Sequence, residues 1–92
     1  MAIIKSIVDK NTQAYKSNYS YNRRIASELD AIKSKIYEMG PRSKVERHEA
    51  KGKLTVRKRI DLLKDKESLF VEFSELAAYQ VYDDHIPAAG II

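Results

Sequence analysis

The sequence has no cysteine and no tryptophan, and only three glycines and two prolines. Without cysteine there is no disulfide, no thiolate metal site and no cysteine nucleophile, which fits a reducing compartment. Gly40, Gly52 and Gly90 stand too far apart to write a P-loop or a dinucleotide fingerprint, both of which need several glycines within one turn. No apolar run approaches the ~18–20 residues of a membrane span. The opening residues 1–9 lack a long apolar stretch and a small-residue cleavage site, so they do not read as a secretory signal. Arginine is absent before Arg23, which argues against a transit peptide. The expected compartment is the cytoplasm, with no membrane contact.

What remains is a small, charged chain. Its 92 residues make one domain at most, and a chain of this size buries only roughly 60–65% of its unfolded surface. Apolar residues at 43% suffice for one modest core, and charged residues reach 33%. The charge is unevenly placed. Residues 1–41 carry +3, residues 42–59 carry +6 and residues 60–92 carry −5. A basic centre and an acidic end imply either an anionic partner or mutual pairing.

Periodicity predicts mainly α structure, with about three helices and one to two short C-terminal strands. Residues 1–19 read as a loose arm, with turn-prone Asn11, Thr12, Ser17 and Asn18, docked by Ile3, Ile4, Ile7 and Val8. Tyr21, Ile25, Leu29, Ile32, Ile36 and Met39 recur at helical spacing, which predicts a helix over 20–39 with Ile25, Leu29, Ile32 and Ile36 buried together. Ser20 is its expected N-cap, and Gly40-Pro41 its stop. Ser43 and Glu46 spell a capping box for a second helix over 43–51, ended by Gly52. Thr55 caps a third over 55–64, with Val56, Ile60 and Leu63 on one face. Residues 20–65 are thus the helical part. Leu69-Phe70-Val71-Glu72-Phe73 reads as a strand with Glu72 facing away from the core. Residues 75–82 suit helix and strand equally, 83–85 a turn, and 86–92 an extended apolar stretch. An apolar strand at the very end suggests a cut chain, with fraying after about Asp83.

Few constellations carry chemistry. No G-x-S-x-G elbow occurs. His48 lies between Glu46 and Glu49 on a charged helix, and reads as a surface histidine. His85 follows Asp83-Asp84 and reads as part of a turn, since three adjacent residues cannot converge on one metal. No catalytic residue and no metal ligand is expected. The basic run Arg42, Lys44, Arg47, Lys51, Lys53, Arg57, Lys58 and Arg59 reads first as a solvated face paired with the acidic end. An anion site is the second reading, with a nucleotide phosphate ahead of DNA. No aromatic residue interleaves the run, which lowers single-strand binding further. By this pattern alone the chain reads as a small soluble helical domain, and the alternative function it leaves open is a small basic helical binding module for nucleic acid or a protein partner.

A resemblance adds to that reading. Ala50-Lys51-Gly52-Lys53-Leu54-Thr55-Val56-Arg57-Lys58-Arg59-Ile60-Asp61-Leu62-Leu63-Lys64-Asp65 resembles the A-R-G-K-L-x-x-R-E-R-I-x-x-L-L-D stretch near the start of acyl-CoA carboxylase carboxyltransferase (beta) subunits. Residues 68–79 are similar to the strand that follows it, and residues 82–92 to the opening of the first β-hairpin. The combination is closest to the methylcrotonyl-CoA and geranyl-CoA branch. Two departures stand out: Asp65-Lys66-Glu67-Ser68 replaces the usual D-P-G-S turn, and Lys58 replaces a common Glu.

The resemblance implies a crotonase-like α/β parent subunit, with residues 66–92 opening its N-terminal domain. It implies transfer of a carboxyl group from carboxybiotin, borne by a partner subunit, to an acyl-CoA such as methylcrotonyl-CoA. In the family, paired backbone N–H groups of glycine-rich turns stabilise the developing oxyanions, and those turns lie downstream of residue 92. The 92 residues alone are therefore expected to be inactive and to bind no cofactor. The implied partners are the rest of the subunit, its homo-oligomer and a biotin carboxylase/biotin carrier subunit. Lys53, Arg57 and Arg59 are the candidate contacts to CoA phosphates; a structural role, pinning the early helices, is the favoured alternative for all three.

Overall fold

The structure, a computed structural model, describes residues 2–92, and among them the chain divides into two compact units, up to Asp30 and from Ala31 onward. Three α-helices are present: α1 (Gln13–Tyr37), α2 (Arg42–Ala50) and α3 (Val56–Leu63).

In the first unit, α1 starts seven residues before the expected Ser20. The signal is a local cap. Asn11 N donates to Asp9 Oδ1 at 2.9 Å, Thr12 Oγ1 donates to the Asp9 carbonyl at 3.0 Å, and Tyr15 N donates to Thr12 Oγ1 at 3.2 Å. Thr12 thus satisfies one of the open N–H groups of the first turn. Ser17 and Asn18, read as turn-prone, sit inside the helix, where an exposed Ser or Asn costs only a few tenths of a kcal/mol. Asn22 Nδ2 donates to the Asn18 carbonyl at 2.8 Å. Among the described residues, the non-helical arm is therefore confined to those before the cap. The expected docking of that arm is not made: Ile3, Ile4 and Ile7 are 84%, 97% and 98% exposed.

In the second unit, α1 ends at Tyr37, two residues before Met39. Met39 and Gly40 both turn left-handed, at φ 64° and 106°, and Met39 N donates to the Ile36 carbonyl at 3.1 Å. Glycine takes that conformation without a Cβ penalty. The capping box expected for α2 does not form. Pro41 is the N-cap residue, its carbonyl accepting from Lys44 N at 2.9 Å. Ser43 falls inside the helix, and Glu46 pairs with Arg42 at 2.8 Å. Gly52, at φ 73°, closes α2 as expected, its N–H donating to the Glu49 carbonyl at 2.9 Å. Thr55 caps α3 as expected, accepting from Lys58 N.

The four isoleucine and leucine positions expected to be buried together are not. Ile36 is fully buried and Ile32 partly so, while Ile25 and Leu29 remain 42% and 41% exposed. Ile36 and Ala88 are the fully buried apolar residues among those described. A chain this small encloses little apolar surface, which limits how far any helix stripe can be covered.

The expected C-terminal strands are absent among the described residues. Residues 68–74 carry no ladder, because a strand exists only against a partner that takes its N–H and C=O groups. Burial still alternates there. Leu69, Val71 and Phe73 are strongly exposed, and Glu72 points inward, opposite to the expected direction. The extended stretch expected at 86–92 is instead a single turn over Pro87–Gly90, with Ala88 and Ala89 left-handed at φ 48° and 51° and Ala88 buried. Glu67, Ser74, Ala78 and Gln80 are left-handed too. Each such non-glycine residue stores about 1 kcal/mol or more.

Candidate functional site

The helix spacing sets up the site. Lys33 and Tyr37 are four residues apart near the end of α1, so they share one face. Arg57 lies in the first turn of α3. Glu72 and Glu75 come from the segment after it. These five side chains form one polar clasp in the second unit.

Arg57 is at its centre. Its Nη2 donates to Glu72 Oε1 at 2.7 Å and its Nη1 to Glu72 Oε2, a two-pronged carboxylate pair. The guanidinium carbon lies 4.0 Å from the centroid of the Tyr37 ring, a cation–π contact. Tyr37 donates its hydroxyl to Glu75 Oε2, and Lys33 Nζ lies 3.4 Å from the same oxygen. The Glu72 side chain is only 8% exposed. Arg57 Nε is buried and has no hydrogen-bond partner among the described residues.

The electrostatics follow from those contacts. The Tyr37 hydrogen bond, then the Lys33 ammonium, hold the Glu75 carboxyl below its ordinary range, against the opposing effect of burial. The same hydrogen bond, helped by burial, pushes the Tyr37 phenol up. Glu75 likewise holds Lys33 protonated above its ordinary range. Glu72 raises Arg57. Two cations face two carboxylates, and a neutral tyrosine bridges them. Such a cluster has no charge left over for a substrate. What it does is fasten the end of α1, the start of α3 and the 72–75 segment together.

The three basic residues singled out in the sequence part company here. Arg57 is turned to Glu72 and Tyr37. Lys53 is exposed in the loop between α2 and α3, and Arg59 is exposed on α3. The structure does not gather them around one point. Elsewhere in the basic run, Lys58 pairs with Glu49, and His48 Nε2 lies 3.1 Å from the Leu54 carbonyl, to which it donates. Three of the eight residues of the run, Arg42, Arg57 and Lys58, are therefore spent on internal pairs. Sequence reasoning missed Lys33, Tyr37, Glu72 and Glu75. One signal was available for Glu72, the single acid inside an apolar run of five. Nothing at the sequence level links it to an arginine fifteen residues earlier.

Comparison with known proteins places the chain. It is 37% identical over all 92 residues to the methylcrotonoyl-CoA carboxylase beta chain, mitochondrial, of Arabidopsis thaliana, covering 16% of that protein. It is 35% identical over 88 residues, 96% of the chain and 15% of the relative, to the probable methylcrotonoyl-CoA carboxylase beta chain, mitochondrial, of Drosophila melanogaster. It is 39% identical over 77 residues, 84% of the chain and 15% of the relative, to the probable biotin-dependent acyl-coenzyme A carboxylase beta2 subunit of Mycobacterium tuberculosis. No family model matches the chain, and no solved structure matches it significantly.

The chain thus belongs to the beta chains of biotin-dependent acyl-CoA carboxylases. Within that class it is similar to methylcrotonoyl-CoA carboxylase beta chains over its whole length, and it spans about a sixth of the length of the curated relatives it matches.

Proposed function

We propose that these residues are the helical lead-in of a longer carboxyltransferase subunit, and that the clasp is what they contribute. The whole subunit moves a carboxyl group from carboxybiotin to an acyl-CoA, with methylcrotonyl-CoA the first candidate. The observation that carries this reading is the 37% identity across all 92 residues. The subunit has a crotonase-like fold, forms a homo-oligomer and works with a biotin-bearing subunit. The cytoplasmic compartment is part of the same proposal, although the Arabidopsis and Drosophila relatives are described as mitochondrial; fractionation of cells decides it.

The arrangement supports a structural part in that reaction. Gly40 and Gly52, both at positive φ, follow α1 and α2, and Gly90 ends the Pro87–Gly90 turn, so each closes a local element. Arg57 pins α3 to the segment that resembles the subunit's first strand. Lys53 and Arg59, exposed and basic, remain the positions from which positive charge reaches CoA phosphates. The alternative, a free-standing module for nucleic acid, is weakened by the internal pairing of Arg42, Arg57 and Lys58.

The test is a carboxylation assay with bicarbonate, ATP and methylcrotonyl-CoA. The full-length subunit with its biotin-bearing partner gives product, and the 92-residue chain put in its place gives none. Turnover by the short chain, or none by the full assembly with any branched or straight acyl-CoA, overturns the reading.

A further inference from the structure

We draw no further inference here: the strongest candidate, the exposed apolar row of Leu69, Val71 and Phe73 in the segment after α3, carries nothing because nothing in the structure shows what covers it.

Discussion

Residues up to Asp30 and residues from Ala31 onward hold their shape by different means. In the first region the side-chain hydrogen bonds named above reach two to four residues along the chain, as in Asn11 to Asp9 and Asn22 to Asn18. Its apolar side chains stay largely in water. In the second, Arg57 reaches fifteen residues to Glu72 and Tyr37 reaches thirty-eight to Glu75. The difference teaches that helix formation here needs only capping and propensity, whereas shape needs a few long-range polar contacts. A core of Ile36 and Ala88 is too small to do that alone.

The sharpest way to break this contrast is Ile36→Ala against Leu29→Ala. Ile36 is 1% exposed, and its truncation should cost about 2–4 kcal/mol. Leu29, at 41% exposed, should lose about 1 kcal/mol. Urea unfolding monitored by circular dichroism reads both, and equal losses would mean that the two regions are not held differently. The clasp comes next. Arg57→Ala leaves Glu72 nearly buried and unpaired, which should cost about 2–3 kcal/mol. The double variant with Glu72→Ala should recover part of that, and a double-mutant cycle measures the coupling. Arg57→Lys keeps the charge but loses the fork and the ring contact, so it should fall between.

The smallest effect sharpens the comparison through pH. Because the Glu75 carboxyl is held low in the folded chain, it adds stability above its unfolded value, and that stability is lost as pH falls through the folded value. Tyr37→Phe removes the largest cause, so its unfolding midpoint should fall less on going from neutral to acid pH. The raised Tyr37 phenol works the other way. Its contribution is full below its unfolded value and is lost as pH rises through the folded one. The phenylalanine variant should lack that alkaline loss. A whole-range effect near 1 kcal/mol or less is expected of one partly solvated hydrogen bond. Identical pH profiles for the two proteins would remove Glu75 from the clasp.

Helix existence was legible because periodicity and punctuation are local. The 3/4 spacing of Tyr21 to Ile36, the Gly40-Pro41 stop, Gly52 and the Thr55 cap each depend on neighbours within one or two turns. The start of α1 was misread because Asp9 and Thr12 act as a cap before a stretch that looks turn-prone. Ser43 was misread because Pro41 already supplies the first turn's carbonyl. The strand over 69–73 was misread for a deeper reason. Its residues favour a pleated surface, but that surface comes from a partner, and none of the described residues supplies one.

The sequence by itself determined three helices, an uneven charge, and a likeness carried by the run from Ala50 to Asp65. It did so because capping, amphipathic spacing and motif order are properties of adjacent residues. The tertiary structure decided which charges are spent and which are left. Glu72 turns inward to Arg57, and Glu75 is claimed by Tyr37 and Lys33, while Lys44 and Arg59 have no carboxylate partner among the described residues. Those outcomes depend on the direction in which each side chain leaves its backbone once the helices have packed, and pairs fifteen to thirty-eight residues apart carry no trace in local pattern.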